Sequence, residues 1–158
     1  MKNKITQDPM FDTKHQLFVG TVLAFDFGEK RIGVAVGNME LGLAHPLVTV
    51  KDEIIERRFD AIDKLIKEWR PIKLIVGLPT HADGREHKLT QLSRRFARHL
   101  EVRFGIMTAL VDERYTSITA SMALREAGIK TRKQKSMLDQ IAAQQILQSY
   151  FDGCHATT

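Results

Sequence analysis

A single cysteine, Cys154, stands in a chain of 158 residues; it excludes an intrachain disulfide framework and fits a reducing compartment. No segment approaches the roughly 20 apolar residues that a membrane-spanning helix needs. Met1 to Gln16 are polar and hold no apolar stretch of signal-peptide length. These absences predict a soluble, cytoplasmic protein. The chain also has no internal repeat and no low-complexity tract. What it does have is 43% hydrophobic residues, which at this length suits one globular domain with a sizeable core. The expected division is a disordered arm at residues 1–18, a single domain at 19–152 and a short tail at 153–158.

The net charge of +5 is only a weak pointer to an acidic partner, but its distribution says more. Residues 70–135 carry fourteen Lys/Arg against six Asp/Glu, a local +8 that leaves −3 for the remainder. Such asymmetry suits a face turned toward a polyanion, whereas the plainer reading is a solvated, charge-rich helix.

The apolar pattern gives alternating elements. Strands are expected at about 20–27, 31–37 and 43–50, with connections short enough for antiparallel pairing. From Asp52 to Trp69, Ile55, Phe59, Ile62 and Ile66 recur at helical spacing; Asp52 can cap the start and Pro71 prevents continuation. Ile72 to Gly77 reads as a fourth strand, and Leu89, Leu92, Phe96 and Leu100 mark a second helix. Gly105 to Val111 reads as a fifth strand, followed by helices at about 117–127 and 137–151. Three meandering strands followed by alternating helix and strand describe an α/β sandwich around a mixed sheet.

Four segments could carry chemistry. In Thr21-Val-Leu-Ala-Phe-Asp26-Phe-Gly28-Glu-Lys30-Arg31-Ile-Gly33, an aspartate occupies a strand position where Val or Ile would pack. A buried carboxylate must be paired, protonated or bound to a metal. Gly28 permits a tight turn and close approach of a phosphate, and Lys30 and Arg31 set two cations beside the acid. The plain alternative is a hairpin whose aspartate pairs with Lys30 or Arg31. The second segment, Val76-Gly-Leu-Pro-Thr80-His81-Ala-Asp83-Gly84-Arg85, follows the fourth strand, at the end where open α/β sheets bind ligands; ordinary Asp-Gly turn chemistry would explain it as well. In the third, Asp112-Glu113-Arg114-Tyr115-Thr116, strand alternation puts the two acids on opposite faces, so at most one shares a site with Asp26. Either acid could instead form a surface pair with Arg114, and Thr116 reads as a helix N-cap. In the fourth, Asp139 could belong to a capping box with Ser136. Yet it precedes Ala142, Ala143, Ile146, Leu147 and Tyr150 at helical spacings, so it heads the apolar stripe.

In order and spacing, the Asp26 turn, Val76-Gly-Leu-Pro, Asp83-Gly84, Asp112-Glu113-Arg and Asp139 followed by Ala142-Ala143 resemble the bacterial YqgF (RuvX) family. Its members are described as pre-16S rRNA nucleases or Holliday junction resolvase-like proteins. The resemblance spans roughly residues 20–151. It implies an RNase H-like fold: a five-stranded mixed sheet of order 3-2-1-4-5, strand 2 antiparallel, with helices on both faces. It also implies that Asp26, Glu113 and Asp139 are the catalytic and metal-binding acids. Thr80-His81 depart from the Leu-Asn usual in that loop.

Resemblance and residues meet in one mechanism. Carboxylates from two strands and a helix can hold two Mg²⁺ (or Mn²⁺) ions about 4 Å apart, one activating water and one stabilising the leaving oxygen of a phosphodiester. The expected activity is metal-dependent hydrolysis in 5′-end processing of pre-16S rRNA during ribosome biogenesis, leaving a 5′-phosphate. Lys30 and Arg31, then Arg114 and Lys135, would hold nearby phosphates. The stretch Ile129 to Lys135 and a helix face bearing Lys88, Arg94, Arg95 and Arg98 would extend the backbone contact. RNA is the favoured partner, with structured DNA, pre-ribosomal particles and a monomer or weak homodimer also in view. Three alternatives compete: a Holliday junction resolvase-like endonuclease, a non-catalytic nucleic-acid-binding module, and a nucleotide-binding enzyme related to actin-like ATPases and sugar kinases. The last would need two such domains to enclose a nucleotide. A binding module would give no reason for a buried cluster of three acids.

Overall fold

The computed structural model describes residues 20–79, 86–113 and 132–156. The elements in chain order are β1 (Thr21–Phe27), β2 (Arg31–Asn38), β3 (Leu43–Lys51), α1 (Ile55–Trp69), β4 (Lys73–Leu78), α2 (Lys88–Phe104), β5 (Thr108–Asp112) and α3 (Arg132–Ala156). They form one five-stranded sheet in the order β3-β2-β1-β4-β5. Strand β2 runs antiparallel to β1 and β3, whereas β4 is parallel to β1 and β5 to β4. Both the sheet order and the RNase H-like expectation agree with this arrangement.

Strand alternation sorts the side chains onto two faces. Leu23, Phe25 and Phe27 of β1 pack with Ile32 and Val34 of β2, Leu74 and Val76 of β4, and the apolar stripes of α1 and α2. On the other face, Val22 and Ala24 of β1 meet Ala35, Ile75 and the α3 residues Ala143, Ile146, Leu147 and Phe151. The sheet is therefore covered on both sides, and its strands read as near-continuous apolar runs for that reason.

Several boundaries differ from the sequence expectation. Helix α1 begins at Ile55, with Ile54 as its N-cap; the Asp52 side chain instead accepts a 2.9 Å hydrogen bond from the Ile54 amide, two residues on. This Asx-type turn is the competing use of aspartate just before a helix. Strand β5 begins at Thr108, three residues later than expected. Gly105 is spent on ending α2: its φ is 66° and its amide bonds the Glu101 carbonyl at 2.9 Å. Helix α3 starts at Arg132, so Ser136 lies inside it and does not cap it. The helix also runs to Ala156, past the 152/153 boundary drawn for a tail. The expected arm at 1–18, the loop residues Thr80 to Arg85, Arg114 and the helix at 117–127 lie outside the described residues.

Candidate active site

Asp26 is the sixth residue of β1 and shares a face with Val22 and Ala24, so its carboxylate points toward α3. Its register partner on β2 is Gly33. A Cβ on Gly33 would fall on the backbone carbonyl of Asp139, so the missing side chain is what lets α3 lie against β2 there. The helix is fastened at this point: the Thr49 hydroxyl of β3 donates to the Ser136 carbonyl at 2.6 Å, and Gln140 Nε2 donates to Thr49 Oγ1 at 3.3 Å. Glycine and these bonds bring the second acid, Asp139, over the strand beside Asp26.

The third acid arrives from β5. Ala109 and Val111 pack on the α3 face, and alternation carries the next position, Glu113, to the same side. Its amide bonds the Leu78 carbonyl at 3.2 Å, which continues the parallel β4–β5 ladder by one residue. A second glycine makes room: a Cβ on Gly77 would lie 2.6 Å from Glu113 Oε2 and would also strike Ile146 of α3. Glu113 is 4% exposed, whereas Asp112 faces outward and is exposed. The structure thus brings Asp26, Glu113 and Asp139 to one end of the sheet.

Their charges act on one another. Burial pushes the Asp26 carboxyl well above its ordinary range, and the neighbouring charges of Glu113 and then Asp139 push it further in the same direction. Burial also raises Asp139, against the opposing pull of Arg31, whose Nε donates to Asp139 Oδ2 at 2.8 Å. Arg31 therefore pairs with Asp139 across the cleft, not with Asp26 as a simple hairpin pairing would have it. Asp26, Arg31 and Asp139 line a cleft of about 260 Å³ together with Phe27, Gly28, Glu29 and Lys30.

Three carboxylates from separate elements form an all-oxygen donor set of the kind that suits a hard divalent cation, and their mutual repulsion is what such a cation relieves. As placed, with Asp139 turned to Arg31, no three acidic, histidine or cysteine side chains among the described residues stand in metal-holding geometry. The donor chemistry fits, and holding an ion here requires the three carboxylates to draw closer together than they stand.

The cations divide. Lys30 is exposed at the rim of the cleft, 4.0 Å from Glu53. Lys135 is exposed one helical turn ahead of Asp139. Arg94, Arg95 and Arg98 are exposed on α2, which covers the opposite face of the sheet from the three acids. Arg94 is also engaged, its Nη2 lying 2.5 Å from Glu86 Oε2. The sequence reading passed over the space-making roles of Gly33 and Gly77, the Thr49 tether and Arg58. Glycine at a strand position facing a helix was the available signal for the first two.

A family model described as "Holliday junction resolvase" matches residues 20–153. The chain belongs to the RuvX family. A relative in Nitrosospira multiformis, named "Putative pre-16S rRNA nuclease", is 64% identical over 143 residues, covering 90% of this chain and 95% of its own. Relatives of the same name in Nitrosomonas eutropha and Neisseria gonorrhoeae are 53% and 52% identical, covering 96% and 88% of this chain and 97% and 92% of theirs. Among solved structures, Thermus thermophilus RuvC in complex with a Holliday junction substrate matches with a TM-score of 0.52 at 16% identity, over 88% of this chain and 98% of that one. That likeness establishes a shared fold.

Proposed function

We propose that this RuvX-family protein is a metal-dependent nuclease that hydrolyses phosphodiester bonds at the cleft of Asp26, Glu113 and Asp139. Its substrate in this reading is the 5′ end of pre-16S rRNA, processed in the cytoplasm during ribosome biogenesis. The observation that carries the reading is the convergence of three acids from β1, β5 and α3, with Asp26 half-buried and its ionisation opposed by the other two. A purely structural or binding role gives no reason to bear that repulsion. Pre-16S rRNA is the substrate that stands in the name of relatives at 52–64% identity.

The three carboxylates would hold Mg²⁺ or Mn²⁺, which when bound supplies an activated water and neutralises charge developing on the phosphate oxygens. The protein's own residues do the rest. Arg31, once Asp139 turns from it, is a bidentate-capable cation at the wall of the cleft and takes a phosphate oxygen. Lys30 at the rim and Lys135 on α3 receive neighbouring phosphates as point charges. Glu113 is buried and Asp26 half-buried, and these poorly solvated surroundings keep the field of the groups strong. Arg95 and Arg98 on the opposite face can contact only nucleic acid that wraps around the end of the sheet, so they serve affinity and not chemistry; Arg114 joins the phosphate contacts on the strength of its position after Glu113.

The family model's own description favours a second substrate, a four-way DNA junction, for the same chemistry. The deciding experiment incubates the protein and Mg²⁺ with a 5′-extended rRNA precursor and, separately, with a mobile four-way junction. Cleavage of the precursor that disappears with EDTA and in Asp26→Asn is the expected result. Cleavage of the junction alone would move the substrate to DNA, and cleavage unaffected by Asp26→Asn would remove the reaction from this cleft.

A further inference from the structure

Arg58 lies on α1, three residues after Ile55 and four before Ile62, a position in the helix's apolar stripe where a leucine or methionine would pack. It is only 4% exposed. Its recorded hydrogen bond is not to an acid: Nη1 donates to the Gly28 carbonyl at 2.7 Å. The guanidinium lies 5.5 Å from the centre of the Phe27 ring, and Nε is buried with no hydrogen-bond partner among the described residues. Burying a charge so incompletely satisfied costs stability that an apolar side chain of similar length would not. A core chosen for stability alone would not hold it.

The contact it makes falls on the turn between β1 and β2. That turn begins two residues after Asp26 and carries Lys30 and Arg31, all of them lining the cleft. It is tight, since a Cβ on Gly28 would sit 2.6 Å from the Arg31 carbonyl. Two tethers reach it from the segment that opens α1: the Asp52 amide donates to the Lys30 carbonyl at 3.2 Å, and Arg58 donates to Gly28. Arg58 reaches Phe27 and the Gly28 carbonyl from α1, which packs on the face opposite the acids, and is not itself among the residues that line the cleft.

We propose that Arg58 is a positioning residue for the reaction: by holding the Gly28 carbonyl from behind the sheet, it fixes the turn that presents Arg31 to the scissile phosphate. This rests on the reading of the cleft as the site of phosphodiester hydrolysis. A displacement of about 1 Å in a group that orients substrate can lower the rate roughly 100-fold.

The test compares Arg58→Met, Arg58→Lys and wild type in single-turnover cleavage of the rRNA precursor at saturating protein, alongside precursor affinity and thermal unfolding, with Asp26→Asn in parallel. Arg58→Met should unfold at or above the wild-type temperature, bind precursor within about twofold, and cleave roughly 10- to 100-fold more slowly. Arg58→Lys keeps one N–H donor of nearly the same reach and should recover most of the lost rate. If Arg58→Met does not fold, Arg58→Gln, polar but too short to reach Gly28, takes its place with the same expectation. A rate per folded molecule equal to wild type, or a lysine variant no faster than the methionine one, overturns the proposal. If Asp26→Asn also cleaves like wild type, the cleft reading itself has failed; if Asp26→Asn is inactive, the failure belongs to Arg58 alone.

Discussion

The two faces of the sheet are made of different materials. Against α1 and α2, the β1 residues Leu23, Phe25 and Phe27 meet Phe59 and Phe96, and the rings pack closely, with 4.7 Å between the centroids of Phe27 and Phe96 and 5.8 Å between those of Phe59 and Phe96. Against α3 the sheet offers Ala24, Gly33, Ala35 and Gly77, and the helix answers with Ala142 and Ala143. Large side chains bury apolar area and hold layers apart; small ones let backbones approach. The aromatic face therefore supplies stability, and the small-residue face supplies proximity, which three carboxylates need if they are to share one ion. The acids lie where the second face ends, at the carboxyl ends of β1, β4 and β5, next to the point where strand direction reverses between β1 and β2.

The largest effect expected of this division is on chemistry. Asp26→Asn and Glu113→Gln should each lower single-turnover cleavage by about 10³-fold or more, whereas Asp112→Asn, one residue away on the exposed side of β5, should cost about tenfold or less. A dead Asp112 variant beside an active Glu113 variant would mean that the wrong face of β5 has been assigned to the site.

For the apolar core of the aromatic face, as distinct from Arg58, the effect should be on stability alone. Phe59 is 1% exposed, and Phe59→Ala should cost about 3–5 kcal/mol in urea unfolding. Its cleavage rate per folded molecule should stay near wild type. A specific loss of rate in that variant would couple the two faces by a route other than the Arg58–Gly28 contact.

Glycine substitutions sharpen the comparison on the small-residue face. Gly33→Ala places a methyl group on the Asp139 carbonyl, which is backbone and cannot swing aside. Overpacking of this kind costs about 1–3 kcal/mol, and here α3 must lift, taking Asp139 with it, so cleavage should fall along with the melting temperature. Gly153→Ala, with no atom of another segment among the described residues within 4 Å of the added Cβ, should leave both unchanged or slightly raise stability.

The smallest expected effect is a gain. With its folded-state pKa raised above the unfolded value, Asp26 costs the metal-free fold nothing in strong acid; a penalty develops as pH rises above the ordinary carboxylate value, near 3.9, and stops growing once pH exceeds the raised value. Asp26→Asn should accordingly melt a few degrees higher than wild type at neutral pH without metal, with the gap closing as pH is lowered toward 4. A neutral-pH melting temperature below that of wild type would show that the acid is satisfied in some other way.

The first four strands were legible because apolar runs bounded by glycine and polar turns have few other uses, and α1 was legible from its Ile55–Phe59–Ile62–Ile66 stripe. The start of α3 was not, because Arg132 to Lys135 carry no apolar period; they join the helix through good intrinsic propensity, and Ser136 only mimics a cap. Asp26 and Asp139 stood out as acids in apolar stripes. Choosing Glu113 over Asp112 needed the family resemblance, because alternation says that two adjacent residues diverge and not which of them faces α3. Arg58 stayed hidden: an arginine among the many charges of α1 differs from its neighbours only by facing inward, and its partner is a backbone carbonyl thirty positions away.

The central claim, that one ion-holding site is shared by acids from three elements, is tested most directly by calorimetric titration of Mn²⁺ into wild type, Asp26→Asn, Glu113→Gln and Asp139→Asn, each shown to be folded by circular dichroism. Binding to wild type that is weakened at least tenfold in every one of the three variants is the predicted result. Wild-type affinity retained in all three would contradict it.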